Sequence, residues 1–417
     1  MYQKSLASNG LRVVSSQMAH TRSVSVGVYV GTGSRYEEDS KAGVSHFIEH
    51  LCFKGTSRRP TAKEISEAIE GVGGLLNGGT DKELTVYWCK VARQHFGLAI
   101  DVLSDMLSNS SFEPGDIERE RQVIIEEINM SLDSPQQRVD TLIDELVWPK
   151  QPLGRDVAGT KTSVSGLNRQ DLLDYLSRHY VANNTVVSVA GDITHQEALD
   201  AVEEVFGSWQ AASSQPFLPA VDQQSRPRVQ SEHRDTEQAN LCLALPGLPL
   251  GHPDRFTLDL LNVILGEGMS SRLFMEIRER RGLAYAIQSY VTHHQDTGAL
   301  TVYAGVEPGQ LPTAVKAIAE QLELLKDRIP EAEMTKAKEL SKGRMLLRME
   351  DTRSVSGWLG GQELLLGHVM TVDDVVSFVD SVQSDDLLRV AQDVLVPNRL
   401  SLAVVGPVEQ ESIEGLL

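Results

Sequence analysis

The chain has 417 residues, of which 41% are hydrophobic and 23% charged, and its formal net charge is −19 at pH 7. This length favours at least two domains, and the composition is typical of globular proteins with sizeable cores. The negative charge and the lack of a long basic run argue against binding to nucleic acid or to an anionic membrane, and no apolar stretch approaches the roughly 18 residues of a membrane span.

The N-terminal segment, Met1 to Gly10, lacks the apolar centre of a secretory signal and predicts the start of a strand. Cys52, Cys89 and Cys242 are too few and too widely spaced for a disulfide framework or a C-x-x-C motif. We therefore expect a cytoplasmic protein whose thiols are buried.

The first half of the chain predicts strands and helices in an α+β arrangement. Alternating β-branched and polar residues indicate strands, and apolar residues at helical spacing indicate helices. Thr61 begins one helix with a pattern that resembles a capping box, and Gly71 to Gly74 end it. The predicted elements are two strands within residues 11–32, a helix at 44–53, a helix at 61–70, a strand at 85–90, and helices at 94–109 and 114–132.

Two copies of one unit are indicated by matches between the halves. Thr85-Val-Tyr87 recurs as Thr301-Val-Tyr303, and Pro114 recurs as Pro330, each 216 residues later. A stretch from residue 208 to residue 228, rich in Ser, Gln and Pro, has little periodicity and is the best candidate for a linker. We predict an α+β fold with a first repeat at 1–210, a linker at 211–230 and a second repeat at 231–417.

A candidate metal site lies in the first predicted helix, at His46-Phe-Ile-Glu-His50. Positions i and i+4 share one helix face, so both imidazoles can reach one ion, and Glu49 lies beside that face. A catalytic zinc site needs a third ligand and a carboxylate that accepts a proton from water. Glu120 and Glu127 point the same way on a later helix, so one could be a ligand and the other a support. The alternative is a solvated polar helix face.

The second repeat lacks these residues. Shifted by 216, the positions of His46, Glu49, His50 and Glu127 become Asn262, Leu265, Gly266 and Gly343. We therefore expect one metal site per chain, in the first repeat.

The motif and the glutamate pair together resemble the pitrilysin/insulinase family of zinc peptidases, in the branch that includes the mitochondrial processing peptidase β subunit and small bacterial homologues. The resemblance covers essentially the whole chain and rests on the segment from His46 to Thr56 and on Glu120 with Glu127. It implies one zinc ion per chain, held by the pair of histidines and Glu127. It also implies Glu49 as the general base and assigns Glu120, the earlier glutamate, to the catalytic site without making it a ligand.

Two more segments match that family. Gly73 to Thr80 resembles its substrate-binding edge, with Asn77 and Gly78 at the strand that a peptide would extend; the family usually has Ala at the second position. Arg278 and Tyr285, seven residues apart in the second repeat, match residues that hold substrate and stabilise the tetrahedral intermediate. The resemblance further implies that the two repeats close as a clamshell around a peptide, and we expect a homodimer.

The predicted function is therefore that of a zinc endopeptidase acting on flexible or unfolded peptides, with basic ones favoured by the charge of the chain. One alternative is a non-catalytic structural or peptide-binding subunit of the same family, but such subunits often carry degraded metal motifs. Another is the presequence-binding partner of a heterodimer, whose glycine-rich loop is typically longer than Gly266 to Ser271.

Overall fold

A computed structural model describes residues 2–213 and 215–417. The first half of the chain alternates strands with helices. Its elements are β1 (Gln3–Leu6), β2 (Arg12–Gln17), β3 (Ser23–Val30), α1 (Val44–Cys52), α2 (Ala62–Glu70), β4 (Leu75–Thr80), β5 (Thr85–Ala92), α3 (Phe96–Asn109), α4 (Pro114–Asp133), α5 (Pro135–Val147), α6 (Lys161–Gly166), α7 (Arg169–His179), β6 (Thr185–Gly191) and α8 (His195–Phe206).

The second half contains similar elements in a similar order, with a short π-helix (Phe274–Arg280) before its longest strand. Its other elements are β7 (Arg228–His233), β8 (Ala239–Pro246), α9 (Arg255–Gly266), β9 (Ala284–His293), β10 (Gly298–Val306), α10 (Leu311–Leu324), α11 (Glu331–Arg348), α12 (Thr352–Leu366), α13 (Val372–Ser381), α14 (Ser384–Val394), β11 (Ser401–Gly406) and α15 (Gln410–Ile413).

The predicted elements of the first half are confirmed, and their ends have local causes. At the start of α2 the Thr61 hydroxyl accepts a hydrogen bond from the backbone N–H of Glu64, while the Glu64 carboxylate accepts one from the Thr61 backbone. This reciprocal cap satisfies donors that the first helical turn leaves without partners. The segment from Gly71 to Gly74 then ends the helix, where Gly73 adopts a positive φ of 74°.

Each half supplies a mainly antiparallel sheet. The strand orders are β1-β2-β6-β3-β5-β4 and β7-β11-β8-β10-β9. The pairs β2–β6 and β7–β11 are parallel, and every other neighbouring pair is antiparallel. Apart from β1, the two orders correspond strand for strand, which confirms the α+β fold with two homologous repeats.

Strands β6 and β11, which occupy equivalent positions in the two sheets, both end in a glycine that lies close to the neighbouring backbone. A Cβ on Gly191, at the end of β6, would lie 2.7 Å from Cα of Val24. A Cβ on Gly406, at the end of β11, would lie 2.7 Å from Cα of Ala239. Only glycine fits so close to the neighbouring backbone, and this accounts for its presence at both equivalent positions.

Two compact units form, and each takes one segment from the other half of the chain. The first unit consists of residues 1–129, 156–218 and 346–371, and the second of 130–155, 219–345 and 372–417. The units therefore differ from the contiguous ranges expected from the sequence. The physical reason is that α5 packs on β8 and β11, whereas α12 packs on β2, β3 and β6. In addition, β7 starts at Arg228, inside the predicted linker.

In the first unit both faces of the sheet are covered. One face lies under α1, α3, α4 and α8, and the other lies under α12, where Tyr29 and Val186 pack with Val355 and Leu359. Every residue of β6 is buried as a result, which is typical of a strand covered on both faces. Along the described part of the chain, no helix combines the length and the apolar character required to cross a bilayer.

Candidate metal centre and active site

Helix α1 carries the motif His46-Phe-Ile-Glu-His50 because its apolar residues fall on one face. Phe47, Ile48 and Leu51 are buried in the core of the first unit, which leaves the two histidines and Glu49 on the other side of the helix. These three side chains are partly exposed. The buried apolar face therefore fixes the position of the helix, and the opposite face carries the polar groups.

The N-terminus of α1 is fixed by a buried carboxylate. Oε2 of Glu37 accepts a hydrogen bond of 2.7 Å from the N–H of Gly43, and Oε1 accepts one of 2.8 Å from the N–H of Ser45. Gly43 itself has a φ of 92°, which favours glycine. A negative charge at this position also complements the helix dipole, so Glu37 anchors the helix one residue before His46.

Helix α4 supplies the carboxylates. Ile117, Ile124 and Ile128 are buried on one face of this helix. Glu120 and Glu127, which are two turns apart, therefore face the same way, but their environments differ. The Glu120 side chain is 7% exposed and the Glu127 side chain is 42% exposed.

Three ligand atoms converge between α1 and α4. Nε2 of His46 lies 3.2 Å from Nε2 of His50, and Oε2 of Glu127 lies 3.8 and 3.6 Å from these two nitrogens. Four ligands placed tetrahedrally about 2.1 Å from one zinc ion lie roughly 3.4 Å from each other. The observed separations and the donor set therefore fit zinc. Within the described residues, this is the one group of three or more His, Cys, Asp or Glu side chains that could hold a metal.

The protonation state of His46 suits this role. Burial and the neighbouring His50 lower the pKa of His46 to about 4. An imidazole must be neutral at the nitrogen that binds a metal. His46 is therefore available as a ligand at neutral pH without first losing a proton.

Glu120 lies beside the cluster and contacts His50 from behind. Its Oε2 is 3.1 Å from Nδ1 of His50, and its Oε1 is 2.8 Å from Nζ of Lys54. The arrangement resembles the carboxylate–histidine pairs that orient metal ligands.

Glu49 points toward strand β4. Its Oε2 accepts a hydrogen bond of 2.7 Å from the hydroxyl of Thr80. Burial raises the pKa of Glu49, and the hydrogen bond from Thr80 opposes this shift. The carboxyl also borders Gly78, where a Cβ would lie 3.0 Å from Oε1 of Glu49 and 3.0 Å from Cε2 of Phe53. A side chain at position 78 would therefore press on Glu49.

Strand β4 is the last strand of its sheet and carries Asn77 and Gly78. Asn77 pairs with Trp88 and Gly78 with Tyr87 on the β5 side. The Asn77 side chain accepts a hydrogen bond from the N–H of Gly78. The outer edge of the strand is the side on which a further strand could pair.

Arg278 and Tyr285 lie in the second unit and contact each other. Arg278 belongs to the π-helix, and its guanidinium carbon is 4.9 Å from the centre of the Tyr285 ring. Tyr285 is near the start of β9 and is 76% exposed. The fold thus brings these two residues together on the surface of that unit.

The second unit replaces the metal ligands with direct packing. Asn262, the counterpart of His46, accepts a hydrogen bond of 2.6 Å from the hydroxyl of Ser289 on β9. A Cβ on Gly266, the counterpart of His50, would lie 2.4 Å from that hydroxyl oxygen. Helix and strand approach so closely here that a histidine at position 266 would not fit.

Three residues with clear roles in this geometry had no role predicted from the sequence: Glu37, Lys54 and Thr80. Lys54 lies just beyond the end of α1, and its contact with Glu120 depends on how the following loop packs. The contact of Thr80 with Glu49 depends on how β4 packs against α1, and the contact of Glu37 depends on the loop before α1. Neither has a sequence signature.

Two family models and several known proteins match this chain. A family model described as Insulinase (Peptidase family M16) matches residues 12–161, and one described as Peptidase M16 inactive domain matches residues 166–341. The uncharacterized zinc protease YmxG of Bacillus subtilis is 37% identical over 412 residues, with 98% of each chain covered. The chain belongs to peptidase family M16.

Solved structures share this M16 fold over nearly the whole chain. A protease from Helicobacter pylori has a TM-score of 0.92 at 24% identity, covering 98% of this chain and 99% of that one. A peptidase M16 inactive domain from Pseudomonas fluorescens has a TM-score of 0.90 at 18% identity, covering 98% of both chains. At these identities the likeness shows the fold alone. The M16 fold therefore extends across both halves of the chain.

Proposed function

We propose that this M16 protein is a zinc-dependent endopeptidase that hydrolyses flexible peptides. The observation that carries the proposal is the convergence of His46, His50 and Glu127 beside the carboxyl group of Glu49. Two imidazoles and one carboxylate form a donor set of hydrolytic zinc sites, which keep a further position for water or substrate. The name of the Bacillus subtilis relative, a zinc protease, supports the same metal.

A zinc ion held by His46, His50 and Glu127 would lower the pKa of a bound water molecule and would polarise the peptide carbonyl. Glu49 accepts a proton from the attacking water and delivers it to the nitrogen of the leaving amine, so one carboxyl serves both proton transfers. Burial raises the pKa of Glu49, which brings it nearer the range in which such a group can both take and release a proton. Thr80 restrains the carboxyl during these steps.

We propose that the peptide binds as an added strand along the outer edge of β4, beside Asn77 and Gly78. Such a strand pairs through its own backbone groups, which a folded protein has already committed to internal hydrogen bonds. Gly78 keeps the space next to Glu49 free of a side chain. The substrates are therefore flexible or unfolded, and the charge of −19 favours basic ones.

We assign Arg278 and Tyr285 to substrate binding and to stabilisation of the oxyanion. Their mutual contact and the exposure of Tyr285 support this assignment, as does the match to the family. Because they belong to the second repeat, hydrolysis requires both repeats to enclose the peptide. We also propose that the protein assembles as a homodimer.

The alternative is a non-catalytic subunit of the family. The complete donor set with Glu49 beside it argues for catalysis, because a hydrolytic metal site needs a carboxylate near the metal to accept a proton from water. A subunit that only binds peptides would not need Glu49.

The decisive experiment is incubation of the purified chain with a peptide library, with and without a chelator, and mapping of the cleavage sites by mass spectrometry. We expect cleavage that the chelator abolishes and added zinc restores. A small protein, presented folded and then unfolded by reduction, tests the substrate class, because only the unfolded form should be cut. Equal cleavage of both forms would contradict an enclosed site, and cleavage that resists the chelator would contradict the metal.

A further inference from the structure

Both carboxylate oxygens of the buried Glu120, next to the candidate metal centre, contact polar side chains. The Glu120 side chain is 7% exposed, and its Oε2 faces Nδ1 of His50 at 3.1 Å while its Oε1 faces Nζ of Lys54 at 2.8 Å. A charge removed from water is costly unless a partner compensates it. Lys54 is the cation that compensates Glu120 in the described structure.

The contact with Glu120 determines which nitrogen of His50 carries a proton. A carboxylate only accepts hydrogen bonds, so Nδ1 of His50 must donate. The lone pair of the neutral ring is then on Nε2, the atom that lies 3.2 Å from Nε2 of His46 and 3.6 Å from Oε2 of Glu127. Any change that turns Glu120 away from His50 removes the cause of this tautomer.

Lys54 is held where it can reach Glu120 by a constrained loop. A Cβ on Gly55 would lie 2.4 Å from the carbonyl oxygen of Pro60, so the backbone turns tightly after Lys54. The hydroxyl of Thr56 donates to buried Asp105 at 2.7 Å, and the N–H of Ser111 donates to the carbonyl of Gly55. These contacts fix the backbone at Lys54. The Lys54 side chain, which is 31% exposed, reaches Glu120 from this position.

We propose that Lys54 is a positioning residue of the metal centre. It holds Glu120 as an oriented carboxylate, and Glu120 in turn holds His50 in the tautomer that presents Nε2 to the metal. Lys54 acts through Glu120 and touches neither the metal nor the substrate. This inference rests on the proposed function, because it concerns the same site.

The first test measures zinc affinity by competition with a chromophoric chelator. The substitution Lys54→Met keeps the apolar stem and removes the ammonium group, and we expect zinc to bind about tenfold more weakly, the lower end of the range for lost supporting contacts. Lys54→Arg should restore most of the affinity. Lys63→Met is the matched control, because the Lys63 side chain is 79% exposed and pairs only with Glu67 in the described structure.

A double-mutant cycle shows whether Lys54 acts through Glu120. In the Glu120→Gln background the substitution Lys54→Met should have no further effect on zinc affinity, since its partner is already lost. An equal loss in both backgrounds, or an unchanged affinity in the single variant, would overturn the proposal. The thermal midpoints of the zinc-free proteins show whether each variant folds. If Lys54→Met fails to fold, Lys54→Gln removes the same charge and replaces it in the test.

The second test needs no zinc. In the zinc-free protein at fixed pH, nitrogen NMR of the His50 ring should show the proton on Nδ1, and Lys54→Met should shift the population toward Nε2. An unchanged tautomer would overturn the Lys54 proposal. If wild-type protein fails to bind zinc, the proposed function fails, and the tautomer measurement still decides the role of Lys54.

Discussion

The hydroxyl of Thr80 donates a 2.7 Å hydrogen bond to Oε2 of Glu49, and so joins the last strand of the first sheet to the proposed general base. Thr80 is also at the end of β4, the strand to which we propose that the peptide adds. The group proposed to accept the proton is thus oriented by the strand proposed to hold the substrate.

Replacing Thr80 with valine removes this hydrogen bond and keeps the shape of the side chain. A hydrogen bond to a charged group contributes about 1.5 to 3 kcal/mol, so we expect kcat to fall roughly tenfold or more. Zinc content should not change, because Thr80 contacts no ligand. Thr80→Ser should retain most of the activity, and a fully active valine variant would show that Glu49 needs no such restraint.

Glu49 and Glu127 should respond differently to loss of their charge. Glu49→Gln keeps all three proposed ligands, so the protein should bind zinc normally while hydrolysis falls about 10²- to 10⁴-fold. Glu127→Ala should instead lose zinc. Metal analysis and peptide hydrolysis on the same preparations distinguish the two. Unchanged zinc affinity in Glu127→Ala would move the third ligand to Glu120 or to Glu126, the carboxylate that precedes Glu127 on α4.

Tyr285→Phe tests the contribution of the second repeat to the chemistry. The side chain is 76% exposed, so loss of one hydroxyl should leave the thermal midpoint and the zinc content nearly unchanged. Turnover should fall, roughly tenfold, if the hydroxyl stabilises the oxyanion. A variant that loses stability and keeps its turnover would identify Tyr285 as a structural residue.

Because α5 packs on the second sheet and α12 packs on the first, we expect that neither half of the chain folds alone. Without α12, the first sheet exposes the face that carries Tyr29 and Val186, and without α5 the second sheet exposes Cys242 and Tyr303. Fragments 1–218 and 219–417 should each be insoluble when expressed separately, and co-expression should give a folded complex. Cooperative thermal unfolding of an isolated fragment would contradict this expectation.

A pH-dependent contribution to stability is expected from His293 in the second unit. Burial lowers the pKa of this ring, but hydrogen bonds to Asp259 at 3.1 Å and to the carbonyl of Leu248 outweigh it, and the pKa is raised overall. A raised pKa in the folded protein stabilises it below the pKa of an ordinary histidine, and the effect is lost as the pH rises through the raised value. Asp259→Asn should therefore lower the thermal midpoint more at pH 5.5 than at pH 9, whereas an equal loss at both would rule out this linkage.

The sequence by itself determined the features that depend on local periodicity. The spacing of His46 and His50 places both rings on one side of any helix, and the two-turn spacing of Glu120 and Glu127 does the same for the carboxylates. The cap at Thr61 and the glycines after α2 act within a few residues of chain, so the ends of that helix were predictable as well. The repeat was visible because equivalent strands keep the same residues at equivalent positions.

Only the tertiary structure decided which groups meet. The tilt and packing of α4 against α1 place Glu127 with the two histidines and Glu120 behind His50, a choice that helical spacing leaves open. The contacts of Thr80 and Lys54 likewise depend on how a strand and a loop pack against α1. Amphipathic patterns in α5 and α12 predict a buried face but carry no information about the sheet that covers it, because hydrophobic burial is not directional. The sequence could therefore not predict that α5 packs on the second sheet and α12 on the first.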